Sequence, residues 1–400
     1  VLGSVISLTS NFIAGGALIS LLSPLSFGAG ILIVAAGVLL YTLWSGFRAS
    51  VLTDFAQVMA MLGATVIIIP AVFFAAGGPG MFQAGVEAGH VTAQQQSFFS
   101  SEAFMNQGAP YIAAVLAYAI GNQTIAQRLF AVREDLIKPT FVTATLGYGG
   151  TVIGVGMLGV MALYLGVEPL DGDVNNLLPQ MVADHLPLAL VALAFLMIIG
   201  SLSSTADSDL SALSSIVMTD VYGQSVGRKN ADPKTMLLIG RITMIVATAA
   251  ALYFATAKFD ILDLLVFVGA LWGCLVFPVI ASFYWGRITN VAFTASVLAA
   301  LAVFLPVRFE WIPLEGAWAF VVETLAILGV GVVLGIMCFG FFGLRPAVVV
   351  GAIASVVMLF LGYGFLRDYA TLTGSLVAYA VSFLVCWGLS VRSGQDFDFD

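Results

Sequence analysis

Histidine, cysteine and charge are all scarce in this 400-residue sequence, and each scarcity removes a class of function. The 2 histidines, His90 and His185, fall in or beside polar connections. Neither the clustered ligands of an intramembrane metalloenzyme nor a Ser/His pair is available, so an enzyme is not expected. The 3 cysteines, Cys274, Cys338 and Cys386, each sit inside an apolar run without a CxxC pairing or an accompanying histidine. They imply neither a disulfide framework nor a zinc site. Charged residues make up 9 % of the chain, and the net charge of -8 is spread over loops and an FDFD tail. Without a basic patch, nucleic acid is set aside as a partner. Strand-like alternation, a low-complexity linker and a repeated pore-filter motif are also missing, which argues against an outer-membrane barrel, a divided chain and a passive channel. Residue 1 is a valine leading almost directly into an apolar run, with no initiator Met and no charged n-region. That start predicts a missing N-terminal portion.

Apolar residues are what the sequence does have. They account for 60 % of it, a share no soluble core of this length needs, so the solvent is lipid. The fold class is all-α, a polytopic membrane protein formed as a single membrane domain over 1–400. About twelve spans are predicted, roughly 5–23, 28–46, 52–76, 109–127, 139–166, 186–207, 235–256, 261–283, 290–306, 318–341, 345–365 and 371–391. If the first span starts in the cytoplasm, eleven of the 14 basic residues fall on that side, among them Arg48, Arg128, Arg133, Lys138, Arg228, Lys229 and Lys234. Lys258, Arg308 and Arg367 are left outside. The positive-inside rule then places the C-terminus in the cytoplasm, most simply across a bacterial inner membrane.

Ionisable groups inside apolar spans cost a few kcal/mol each, so they are functional candidates by default. Asp54 lies in LTDFAQ, just after the third span leaves the cytoplasmic side; Asp207 and Asp209 lie in SLSSTADSDLSALSS, toward the cytoplasmic end of the sixth. The two regions approach one membrane depth from opposite chain directions. Ser201, Ser204, Thr205, Ser208 and Ser215 form one hydroxyl stripe on that sixth helix. Hydroxyls, backbone carbonyls and one carboxylate are the oxygen set that suits a hard cation such as sodium. The competing reading is close helix packing, with each hydroxyl bonded to the carbonyl one turn earlier. Asp207 and Asp209 flank the stripe and read as residues of the cytoplasmic interface, pairing with basic loop residues. Glu323 and Asp263 read as interfacial on the external side. In the fourth span Gly121, Asn122 and Gln123 interrupt an apolar helix. An unwound helix there would expose backbone groups to a polar solute, and a plain helix end is the alternative. Tyr118, one turn earlier, offers an aromatic face to a solute or to its neighbours.

Four segments carry a resemblance. YTLWSGFRASVLTDFAQ at 41–57, GNQTIAQRLFAVRE at 121–134, SLSSTADSDLSALSSIVMTDVYG at 201–223 and FPVIASFYWGR at 277–287 are similar, in order, to landmarks of the sodium/solute symporter family. The resemblance implies a leucine-transporter-like pair of inverted repeats working by alternating access. In that frame 1–76 is the rest of the first repeat, with its first two core helices missing, 109–283 is the second repeat, and 290–391 holds additional C-terminal helices. It implies a co-transported sodium at Ser201, Ser204 and Thr205. Some members bind a second sodium through the residue matching Asp54. Tyr118 falls where sugar-transporting members stack an aromatic on the solute, but the next residue is Ala119, which speaks against a sugar. The implied function is sodium-coupled symport of a small polar organic solute, such as an amino acid, urea or a carboxylate, with Tyr118, Gly121, Asn122 and Gln123 as solute-binding candidates. Sodium is the only cofactor implied, and membrane lipid the only other partner. The alternative is a membrane sensor that reuses the symporter fold, which an attached soluble signalling domain would favour.

Overall fold

The computed structural model describes residues 1–97, 99–226, 232–361 and 363–393, and the side chains of all of these but 45–49 and 225–226. Arg228, Lys229, the FDFD tail and the side chain of Arg48 therefore lie outside the described residues. Among those described, the chain is all-α and contains no strand. The helices are α1 (Leu2–Leu22), α2 (Phe27–Ala75), α3 (Gly80–Glu87), α4 (Ser101–Ala103), α5 (Ala109–Gly121), α6 (Gln123–Ala131), α7 (Ile137–Leu165) and α8 (Leu177–His185). There follow α9 (Leu188–Ser215), α10 (Pro233–Ala255), α11 (Ile261–Tyr284), α12 (Asn290–Arg308), α13 (Gly316–Phe342), α14 (Leu344–Leu361) and α15 (Ala370–Arg392). A π-helical stretch, Ile216–Val226, extends α9.

Eleven segments among the described residues are long and apolar enough to cross a bilayer. With large apolar side chains exposed along them, as on Leu32, Phe55, Ile153 and Phe360, this is a polytopic membrane protein whose outer surface is apolar because its solvent is. The count is one below the sequence expectation, and the reason is local. The predicted span 109–127 is broken at Asn122, whose backbone is extended (φ -88°, ψ 122°), between the 13 residues of α5 and the 9 of α6. Asn122 Oδ1 accepts the Thr124 amide at 2.9 Å, so the side chain that stops one helix caps the next.

The helix α2 carries two spans, Phe27–Trp44 and Ser50–Ala75. Tyr41 and Ser50 both reach Asp207.

The chain divides into two compact units, Val1–Phe98 with Ala126–Leu264 and Phe99–Ile125 with Leu265–Asp400. In the first, one core joins α1, the start of α2, α9 and α10 through Leu8, Phe12, Val34, Leu210 and Ala251. A second joins the end of α2 to α3, α7, α8 and α9 through Ile68, Met81, Leu158, Met181 and Met197. In the second unit α13 packs on α14 and α15, and α12 on α15. Tyr379 of α15 is fully buried and donates its hydroxyl to the Ala113 carbonyl at 2.7 Å.

Glu323 is 1 % exposed within this second unit. It accepts the Arg367 Nε proton at 2.7 Å and the Gly364 amide at 2.7 Å. Its hydrogen bond and charge hold the Arg367 guanidinium above its usual range. Glu323→Ala is expected to cost about 3 kcal/mol, since a buried partner is removed and a backbone donor orphaned. The check is a thermal melt in detergent, where an unchanged midpoint would contradict this role.

Candidate functional site

The second span of α2 and the C-terminal half of α9 run antiparallel, and their contacts step along both helices. Ser50 meets Ser208, Asp54 meets Ser204, Gln57 lies against Gly200, and Thr65 meets Met197. The first three of these contacts fall about one turn apart on each helix, so polar residues three and four apart share the contact face. The sequence places Ser50, Asp54 and Gln57 on that face of α2.

Two carboxylates lie at the centre. Asp54 Oδ1 accepts a short hydrogen bond from the Ser204 hydroxyl, and Asp54 Oδ2 accepts one from Arg128 Nη2 at 2.6 Å. The same Nη2 donates to Ser208 Oγ at 2.6 Å, and the Ser208 hydroxyl donates to the Ser204 carbonyl at 2.6 Å. Asp207 is fully buried. Its Oδ1 accepts from Ser50 at 2.6 Å, and its Oδ2 from Tyr41 at 2.7 Å and Thr53 at 3.3 Å. Ser208 Oγ lies 3.2 Å from Asp207 Oδ1, which links the two halves.

Of the residues nominated from sequence, Asp54 and Ser204 are in direct contact. Thr205 turns its hydroxyl to the Ser201 carbonyl at 3.3 Å. Contrary to expectation, among the described residues neither Asp207 nor Asp209 pairs with a basic loop residue: both are buried, and Asp207 is held by the hydroxyls of Tyr41, Ser50 and Thr53. Asp209 is buried and faces α1 beside Ser4 and Ser7. Three participants were missed. Ser208 was visible in the hydroxyl stripe but not nominated, and Arg128 appeared only as loop charge. Gln57, three residues after Asp54, has a buried Oε1 without a partner among the described residues. Ser50→Ala is expected to lower stability by about 2 kcal/mol, the usual cost of removing one donor from a buried charged acceptor. A melt of the purified protein checks this, and a neutral result would mean the remaining donors suffice.

The solute candidates lie in the other unit. Tyr118 stands edge-on to Trp272, with ring centroids 5.0 Å apart. At Gly121 a Cβ would come within 3.0 Å of the Trp272 side chain, so glycine lets the indole pack on the end of α5. Asn122 is buried, and its Nδ2 lacks an acceptor among the described residues. Gln123 opens α6, which continues to Arg128. Trp272, treated in the sequence as packing, is the missed neighbour of this set.

Comparison with known proteins adds an independent line. The model of the sodium:solute symporter family matches residues 1–298. The osmoregulated proline transporter of Bacillus subtilis is 27 % identical over 306 residues, 74 % of this chain and 60 % of the relative. The high-affinity proline transporter of the same organism is 26 % identical over 74 % of this chain and 63 % of its own length. The sodium/pantothenate symporter of Escherichia coli is 26 % identical over 70 % and 58 %. The chain thus spans about three fifths of the length of these relatives.

Proposed function

We propose, because this chain belongs to the sodium:solute symporter family, that the whole protein moves a small polar organic solute across a membrane together with sodium. The observation that carries the reading is the polar seam between α2 and α9, where Asp54, Ser204 and Ser208 gather oxygen ligands inside apolar spans. Sodium prefers such oxygens to nitrogen or sulfur. Ser201, Ser204 and Thr205 supply the α9 side of the ion position, and Asp54 is where some family members place a second ion. The frame is the inverted-repeat architecture expected above, in a bacterial inner membrane with the C-terminus in the cytoplasm.

For the solute, Tyr118 and the helix break at Gly121, Asn122 and Gln123 are the proposed contacts. The unpartnered Asn122 amide donor fits a solute that presents a carbonyl or carboxylate oxygen. Relatives named for proline and pantothenate support solutes of that kind.

The test uses the full-length protein in proteoliposomes. At one ion per solute, a tenfold inward sodium gradient supplies about 1.4 kcal/mol and should accumulate solute about tenfold. Uptake indifferent to replacing sodium by potassium would sink the reading. Ser204→Ala and Thr205→Ala are each expected to raise the sodium concentration for half-maximal uptake about tenfold or more, with a smaller change in solute affinity at saturating sodium. Equal losses on both axes would show that the hydroxyls serve only helix packing.

A further inference from the structure

The solute candidates hang on the end of a short helix. α5 has 13 residues and stops at Gly121, so no continuous helix carries its axis past Asn122. Contacts from α11 and α15 hold it. A Cβ at Gly269 of α11 would overlap Ala114, so the two backbones meet directly. One turn on, the Trp272 side chain rests on Gly121 and stands edge-on to Tyr118. From α15 the fully buried Tyr379 donates its hydroxyl to the Ala113 carbonyl at 2.7 Å. The Tyr379 ring lies against Gly273, where a Cβ would come within 3.0 Å of it. The turn of α11 that carries Trp272 is therefore wedged between α5 and α15.

The glycine contacts set how closely the helices approach, but they have no preferred direction and leave α5 free to turn or slide. A hydrogen bond is directional, and this one fixes the rotation and register of α5 at Ala113, ahead of Tyr118 and the break. A rotation of about 20° would carry a ring about 5–6 Å from the helix axis by about 2 Å, enough to lose a solute contact. The Ala113 carbonyl has a second lone pair for such a donor. α15 lies beyond residues 1–298, so this contact is made by a helix outside the span that the family model matches.

Resting on the solute contacts proposed above, we propose that Tyr379 is a positioning residue of the solute site, whose hydroxyl sets the orientation in which α5 presents Tyr118 and the Asn122 break. The proposed ion ligands Ser204, Thr205 and Asp54 belong to the first unit, so the effect falls on solute affinity rather than on sodium affinity.

The experiment measures uptake of radiolabelled proline, pantothenate and urea, solutes for which relatives are named, by the full-length protein in proteoliposomes. It then follows whichever of them wild type takes up. Tyr379→Phe removes only the hydroxyl, and is expected to raise the half-saturating solute concentration about fivefold at saturating sodium, the size of one hydrogen bond between membrane helices. Sodium dependence at saturating solute should match wild type. Ser382→Ala is the control, because that buried hydroxyl donates to the Tyr379 carbonyl at 3.1 Å within α15. It is expected to lower the melting midpoint and to leave half-saturation unchanged. Wild-type half-saturation in Tyr379→Phe, the same rise in both variants, or an equal shift in sodium dependence would overturn the proposal. If Tyr379→Phe is not recovered as folded protein, Tyr379→Met also lacks the hydroxyl and carries the same comparison. Normal half-saturation in Tyr118→Ala and Asn122→Ala, or no wild-type uptake of any of the three solutes, would instead defeat the solute-site reading, and the proposal with it.

Discussion

Asp54→Leu is expected to destabilise the first unit by about 3 kcal/mol, and Arg128→Met in the same chain to restore much of that loss. The single change leaves a guanidinium in an apolar setting with its carboxylate gone, and it also removes the acceptor of Ser204. Breaking a buried pair from one side costs about 3–5 kcal/mol, whereas replacing both charges by apolar groups of similar volume is often neutral. The Asp54 and Arg128 side chains are 16 % and 33 % exposed, so water relieves part of the penalty and the lower end of the range applies. A double-mutant cycle of melting midpoints isolates the coupling. If the double mutant loses the sum of the two single losses, the pair is not a unit, and the ion pair contributes little.

Gly329→Val is expected to be the most damaging change in the second unit, abolishing monodisperse protein in detergent. A Cβ at Gly329 would lie 2.1 Å from the Leu376 carbonyl oxygen and 2.6 Å from its carbonyl carbon. Those are backbone atoms, so α13 and α15 would have to separate rather than a side chain turn aside. Ordinary overpacking costs about 1–3 kcal/mol, and displacing a helix forfeits more, because Leu376, Val377 and Ala380 on α15 are all buried. Helices in lipid associate through such close approaches of small residues, with no hydrophobic drive to replace them. Gly340 on the same helix has nothing within 4 Å of its would-be Cβ. Gly340→Ala is the control and should leave the elution profile unchanged; similar damage from both would mean that glycine matters to α13 for another reason.

The legible and illegible parts of the site differ in kind. Asp54 and the hydroxyls of α9 could be found because an ionisable group or a polar stripe inside an apolar run is anomalous in one dimension. Arg128 could not, since at the end of an apolar run it looks like any cytoplasmic anchor; only the fold brings it to Asp54, 74 positions earlier in the chain. Asp207 was misjudged for the converse reason. Its burial depends on Tyr41 and Ser50 of α2, which lie 166 and 157 positions earlier in the chain, and a sequence does not show that contact. The break at Asn122 was legible, because Gly and Asn are poor helix formers and Asn caps the following helix.

By itself the sequence determined that the chain is helical and lies in lipid, because the length and polarity of each apolar run are local properties that the bilayer thickness reads directly. It also determined the oxygen chemistry of α9, since helical periodicity fixes which residues share a face. Which carboxylate is neutralised, and by what, was decided only in three dimensions. A charge inside a membrane is defined by its nearest partner, and here that partner, Arg128, is set by how α6 and α9 meet α2 rather than by any spacing along the chain.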